Sequence, residues 1–283
     1  MLRIHWPLSP NWANSSNGGN TVGILEHFRC RYAPFSDTFP LKEPWMSKAD
    51  GDNLRRMEAL LSQGKSFALV GEPGTGKSML LKRLLERLDA KTYRTVLIPW
   101  AGQKPGQILR EICDKIRLDV AGRTPLIQRL HKALARANDA PYTVIAIDEA
   151  HNLPREALQE LFSLTADHAC ATACASIILA GHPVLTKILD LDINAAVRSR
   201  IAMRFRATPL DEEEVEGFVQ YRLKAAGAEP GLFEKEAYTS LHIDSKGNRR
   251  AIMNIAGNAM DLACERAERI VADDIVREVA SMN

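Results

Sequence analysis

Gly71-Glu72-Pro73-Gly74-Thr75-Gly76-Lys77-Ser78 decides the reading of this 283-residue chain. It follows the apolar run Phe67-Ala68-Leu69-Val70 and precedes Met79-Leu80-Leu81-Lys82-Arg83-Leu84-Leu85. That order predicts a buried strand, a glycine-rich turn and an amphipathic helix, the setting in which G-x-x-x-x-G-K-[ST] binds phosphate. Gly71, Gly74 and Gly76 allow backbone dihedrals that turn successive N–H groups inward toward an anion. The helix opening near Lys77 adds the positive end of its dipole. Lys77 is expected to reach the β- and γ-phosphates of ATP, and the Ser78 hydroxyl to ligate Mg²⁺. The nucleotide site is expected to run from Gly71 through Glu72, Pro73, Gly74, Thr75, Gly76, Lys77 and Ser78 to Met79.

A hydrolytic site also needs carboxylates, and Val144-Ile145-Ala146-Ile147-Asp148-Glu149 supplies two, about 70 residues downstream. Four consecutive apolar residues predict a strand buried on both faces. Ligands of open parallel sheets bind beyond the carboxyl ends of the strands, so Asp148 and the glycine-rich turn are expected to share a crevice. Asp148 is assigned to the Mg²⁺ shell and Glu149 to the attacking water.

Around this pair, Thr95 to Trp100 and Ala175 to Ala180 read as further strands, and 52–61, 108–118, 126–137 and 154–166 as helices. Alternation of strands and helices predicts an α/β fold with a parallel sheet wrapped by helices over 66–207. Beyond Asp211 the strand pattern stops. Asp211-x-x-Glu214 opens a helix with Val215, Phe218, Val219 and Leu223 on one face, and helices near 233–242, 248–267 and 272–281 follow. The expected organisation is an N-terminal tether and irregular segment (1–48), a nucleotide-binding core (49–210) and a small all-helical lid (211–283). Residues 24–47 are expected to stay irregular and to pack over the nucleotide base.

Composition narrows the class. Hydrophobic content of 46% and charged content of 25% exclude a disordered or fibrous chain. Five scattered cysteines exclude a disulfide framework, and His168, Cys170 and Cys174 lack the second ligand pair of a zinc site. The apolar-rich stretch 169–181 is too short for a bilayer, and the N-terminus lacks the apolar segment of a signal peptide, so a cytoplasmic protein with no membrane partner is expected. Charge is uneven: residues 211–283 hold 9 Lys and Arg against 15 Asp and Glu, although the whole chain is +2. The basic remainder favours an anionic partner besides ATP, nucleic acid first.

A P-loop core followed by a helical lid resembles the AAA+ plan. That resemblance implies a polar residue sensing the γ-phosphate at the end of the next strand, where His182 follows Ala180-Gly181. AAA+ proteins usually carry Asn, Thr, Ser or Gln there. Lys246-Gly247-Asn248-Arg249-Arg250 resembles the second sensor, G-x-x-R, and implies a phosphate contact for Arg250. The stretch 195–205 occupies the place of the arginine-finger helix. Arg200 best matches the finger, aimed at a neighbouring subunit's ATP, with Arg198 and Arg204 as alternatives. The resemblance thus implies a homo-oligomer, either ring or filament.

Several phrases narrow the likeness: Tyr32-Ala33-Pro34-Phe35, Asp148-Glu149-Ala150-His151-x-Leu153, Ala180-Gly181-x-Pro183-x-Leu185, and the lid G-x-x-R followed by Asn254. They are similar to a bacterial group spanning the ExeA-like secretion ATPases and the TnsC, TniB and MuB transposon target-selection ATPases. ExeA proteins continue into a membrane span and a cell-wall-binding domain, and neither is expected for this protein. The expectation is therefore a DNA-binding regulator that recruits a transposase, with a secretion-assembly or protein-remodelling ATPase as the alternative. Asp148-Glu149-Ala150-His151 also occurs in DEAH helicases, but these need a second RecA-like domain and only helices follow residue 210. For double-stranded DNA, the expected contacts are Lys104, Arg123 and Thr124, cations and a hydroxyl on Gly- and Pro-flanked loops. Such contacts reach phosphates without reading bases.

Overall fold

The computed structural model describes residues 18–39, 41, 43–99, 104–119, 124–135, 141–165 and 174–282. They fall into two compact units: Met46–Thr208, and the segment up to Trp45 together with the chain from Pro209 onward.

In the first unit, five parallel strands form one sheet: β1 (Ser66–Val70), β2 (Tyr93–Ile98), β3 (Tyr142–Ile147), β4 (Ala175–Gly181) and β5 (Ile201–Arg206). Their order is β2-β3-β4-β1-β5. Strand side chains alternate between faces, and both faces are covered here. Ala68, Val70, Ile145, Ile147, Ile177 and Leu179 enter one apolar cluster, while Phe67, Leu69, Val144, Ala146, Ile178 and Ala180 enter the other. The continuous apolar runs in the sequence follow from this double burial.

Helices α2 (Lys48–Ser62) and α3 (Lys77–Arg87) close the second cluster. Ser47 and Asp50 cap α2 reciprocally, which starts it six residues ahead of the apolar stripe Leu54, Met57, Leu61. The opposite face is covered by α4 (Pro105–Lys115), α5 (Leu126–Ala135), α6 (Arg155–Ser163), α7 (Val184–Asp190) and the short α8 (Ala195–Arg198).

In the second unit, α1 (Gly18–His27) joins α9 (Glu212–Ala226), α10 (Lys235–Ser245), α11 (Arg249–Glu265) and α12 (Asp273–Ser281). Asp211 and Glu214 form the capping box expected for α9, and Gly227, at φ 81°, ends it in the left-handed region. Ile24, Phe28, Cys30 and Phe35 share one core with Val215, Phe218, Leu241, Ile252, Ala256 and Ile275. The buried Arg222 guanidinium donates to the carbonyls of Pro34 (2.7 Å) and Ser36 (3.1 Å) and lies over the rings of Phe39 and Phe218. Beyond the end of α1 at His27, the described residues through Ser47 are irregular, as expected. The segment 24–47 itself begins in that helix, and its apolar side chains are consumed in packing against α9–α12. Residues 18–45 therefore belong with the C-terminal helices rather than standing apart as part of a 1–48 segment.

Among the described residues no helix is long and apolar enough to cross a membrane.

A candidate nucleotide site at the carboxyl edge of the sheet

Register brings the predicted site residues of the core to one edge. Val70, the last residue of β1, pairs with Gly181 at the end of β4, and Leu179 of β4 pairs with Ile147 at the end of β3. The glycine-rich turn, His182 and Asp148-Glu149 therefore leave three adjacent strands on the same side, with His182 in the middle.

The turn has the backbone that its glycines permit. Gly74 and Gly76 sit at φ 81° and 95°, closed to most side chains. A Cβ at Gly71 would lie 2.7 Å from the Ala207 carbonyl oxygen and 2.8 Å from Thr75 Oγ1, so only glycine fits beneath the loop. The Glu72 carbonyl gathers the loop, accepting from Thr75 Oγ1 (2.8 Å) and Lys77 Nζ (2.9 Å). Lys77 is 6% exposed at the first position of α3, where the helix dipole adds to its charge. Ser78 is exposed in the same turn, and Met79 is half-buried beside it.

Asp148 is 8% exposed, and its Oδ1 accepts from the Glu149 N–H at 2.9 Å. Glu149 holds φ 51°, a left-handed conformation uncommon for a residue with a side chain and frequent at functional sites. Its Oε2 lies 3.5 Å from His151 Nδ1, on the 3₁₀ turn Ala150–Asn152. His182 Nε2 lies 3.0 Å from Glu72 Oε2, and its Nδ1 accepts from the Val184 N–H at 3.3 Å. A neutral imidazole that accepts at Nδ1 carries its proton on Nε2, so His182 donates to Glu72. His151 is the residue that sequence reading missed. Its only signal was the fourth letter of Asp148-Glu149-Ala150-His151.

The site suits a nucleotide phosphate with Mg²⁺: a cradle that a Cβ would fill, a buried lysine at a helix start, and a serine and an aspartate bearing oxygen donors. Ser78 and Asp148 could hold the metal, and the turn with Lys77 the phosphates. Among the described residues no group of three His, Cys, Asp or Glu side chains is placed to hold a metal.

The remaining candidates lie elsewhere. Helix α8 ends at Arg198, and Arg200 stands in the turn before β5, exposed, donating to the Ala196 carbonyl at 2.8 Å. A helix running through 195–205 is thus corrected to one turn followed by an edge strand. Arg198 donates to the Asp190 carbonyl (2.7 Å). Arg204 forms a two-point pair with the Asp190 carboxylate at 2.6 and 3.1 Å, a hydrogen bond that holds that carboxyl below its ordinary range. Arg250 is exposed on the first turn of α11, in the helical unit, where Asn248 Oδ1 caps its backbone N–H. Lys104 is exposed at the start of α4, its N–H donating to Gln107 Oε1 at 3.1 Å, and Thr124 is exposed just ahead of α5. Arg123 lies outside the described residues.

A P-loop at the end of β1, an acidic pair on β3 and a polar residue ending the strand between them, in a sheet ordered β2-β3-β4-β1-β5 with a C-terminal helical unit, make this an AAA+ ATPase fold. The AAA domain family model matches residues 59–189, and over that span the chain is similar to AAA domains. Among particular relatives, it is 30% identical over 249 residues to General secretion pathway protein A of Aeromonas hydrophila, covering 86% of this chain and 45% of that protein. The chain spans less than two-thirds of the length of the curated relatives it matches. Two solved structures share the fold. They are the Aeropyrum pernix ORC2 protein (TM-score 0.65, 16% identity, 88% of this chain and 70% of that one) and the Aeropyrum pernix ORC1 protein in complex with DNA (TM-score 0.63, 17% identity, 90% and 69%).

Proposed function

We propose that this chain binds MgATP and hydrolyses it as one subunit of an oligomer, and that the ATP-bound oligomer holds duplex DNA and recruits a transposase. The observation that carries the ATPase part is the strand register that sets Lys77, His182, Asp148 and Glu149 along one edge. Mg²⁺ held by Ser78 and Asp148 would supply charge neutralisation between the phosphates. The chain's own groups do the rest. Lys77 and the turn's N–H groups bind and orient the phosphates. Glu149 orients the water and takes its proton, and His182 shifts its Nε2 hydrogen bond from Glu72 to the γ-phosphate. The second sensor, Arg250, adds a guanidinium fork suited to phosphate oxygens.

Arg200 completes a neighbour's site in trans, which makes a ring or filament part of the catalytic unit. Its exposure and its single tether to its own helix support that role over Arg204, whose guanidinium is already paired with Asp190. The DNA reading is supported by the basic charge outside the C-terminal helices and by Lys104 and Thr124 at the starts of α4 and α5. It is also supported by a shared fold with a protein solved in complex with DNA. In this reading, Lys104, Arg123 and Thr124 contact backbone phosphates, once per subunit, without base specificity.

The 30% identity with General secretion pathway protein A favours a second reading, an ATPase of secretion assembly that acts without DNA.

The test combines hydrolysis with DNA retention. Lys77→Ala is expected to abolish nucleotide binding, and Glu149→Gln to retain ATP while stopping turnover. Hydrolysis that survives both refutes the ATPase assignment. ATP-dependent binding to arbitrary duplex DNA, lost in Lys104→Ala/Arg123→Ala and steeply weakened by salt, supports the transposition reading. An active ATPase that ignores DNA at low salt refutes it in favour of the second.

A further inference from the structure

His151 Nδ1 faces two groups that make opposite demands on it. The Glu149 carboxylate, 3.5 Å away, needs a donor, whereas the His182 backbone N–H, 3.4 Å away, needs an acceptor. One ring nitrogen cannot serve both, because a neutral imidazole carries its proton on one nitrogen or the other. The two partners come from different strands: Glu149 follows β3, and His182 follows β4.

The approach is built into the backbone. A Cβ at Gly181 would lie 3.2 Å from His151 Nδ1 and 3.3 Å from its backbone nitrogen. The absence of a side chain there lets the 3₁₀ turn close on the end of β4. The imidazoles of His151 and His182 lie 5.9 Å apart. His182 therefore meets Glu72 of the P-loop through its ring and His151 through its backbone N–H, and His151 in turn meets Glu149. Glu149 needs such support: its side chain is 44% exposed, and a carboxylate must be held to orient water productively.

We infer that His151 is the positioning residue for Glu149, and that the end of β4 governs how firmly it holds. When Nδ1 donates to Glu149, the carboxylate is fixed. When Nδ1 accepts from the His182 N–H, Glu149 is released. Whatever moves His182 relative to the 3₁₀ turn thereby reaches the carboxylate that handles water. The inference rests on the ATPase reading above.

The test is steady-state hydrolysis by His151→Ala, His151→Asn, His151→Gln and Gly181→Ala, with affinity for a non-hydrolysable ATP analogue measured in parallel. Asn places its amide where Nδ1 sits, and Gln where Nε2 sits. His151→Ala and His151→Gln are expected to lower kcat about ten- to hundredfold with analogue affinity unchanged, as loss of an orienting partner does elsewhere. His151→Asn is expected to recover most of the loss. Gly181→Ala, which pushes the imidazole off the strand end, should lower kcat too, and should add nothing to His151→Ala. A His151→Ala enzyme within twofold of wild type overturns the inference, as does a loss shared by Asn and Gln alike or one that appears in analogue affinity. Should His151→Ala not fold, as judged by its melting curve, the Asn/Gln contrast and Gly181→Ala carry the test. A wild-type protein without hydrolysis, or full turnover in Glu149→Gln, overturns the ATPase reading and the inference with it.

Discussion

Gly247 opens the G-x-x-R stretch of the helical unit, and replacing it with alanine separates two costs that glycine usually hides. The residue sits at φ 70°, directly after Lys246 at φ 50°. A Cβ would lie 2.0 Å from the Leu210 carbonyl oxygen, 2.9 Å from its nitrogen and 3.0 Å from its carbonyl carbon. All three are backbone atoms, so no side chain can swing aside. The Leu210 N–H also donates to the Gly247 carbonyl at 2.8 Å, and parting the two segments breaks that bond. The left-handed conformation costs alanine about 1–2 kcal/mol, and the hydrogen bond about 1 kcal/mol. Separating the backbones by more than an ångström adds about 1–3 kcal/mol.

Gly231 supplies the control. It holds φ 81° in the same unit, yet nothing lies within 4 Å of an added Cβ. Gly231→Ala should therefore incur only the conformational cost, reduced by the stiffer unfolded chain to about 0.5–1 kcal/mol. Thermal melting by circular dichroism at matched scan rate is the assay. Gly247→Ala is expected to melt roughly 8–15 °C below wild type and Gly231→Ala within about 3 °C of it. Melting temperatures within a degree of each other would refute the claim that the Leu210 contact is what demands glycine at 247.

Other consequences are as direct. Arg222→Ala removes two bonds to backbone carbonyls and two ring contacts, so the helical unit should lose about 3 kcal/mol in denaturant unfolding, and Arg222→Lys should not restore it. Burial, and then the Glu265 charge, raise the Asp261 carboxyl above its ordinary range. The native state then holds that proton more tightly than the unfolded chain, so its stabilisation is complete below the ordinary carboxylate value and is lost as pH rises through the raised one. Asp261→Asn should accordingly raise the melting temperature at pH 7 by about 1–3 °C, a gain that vanishes near pH 4. If Arg200 acts in trans, Arg200→Ala and Lys77→Ala should each be inactive alone and regain measurable hydrolysis when mixed, whereas no recovery at any ratio counts against a shared site.

What could be read from sequence was local. The turn 71–78, the strands on either side of it and Asp148 each declare themselves within a few residues, because a strand buried on both faces must be apolar throughout. Strand β5 does not. As an edge strand it leaves Ala202, Met203 and Arg206 exposed and buries Phe205, so no apolar run marks it and the stretch passes for a continued helix. The partners of the N-terminal segment were illegible for a different reason. Arg222 meets Pro34 and Ser36, and His27 meets the Glu268 carbonyl, pairings across most of the chain that no local window holds. His151 was equally silent, since its importance depends on Gly181 approaching it from another strand.

The discontinuity of the helical unit has a consequence for how the chain is made. Ile24, Phe28 and Phe35 leave the ribosome early, but the helices that cover them begin at Glu212, after the whole of Met46–Thr208. At translation rates of about 5–20 residues per second, those side chains wait roughly 10–30 s for their partners. During that interval the nucleotide-binding unit can already fold, while the first segment remains an exposed apolar strip. A nascent chain stalled before Pro209 should therefore be a chaperone client through its N-terminal end, although its P-loop unit is complete.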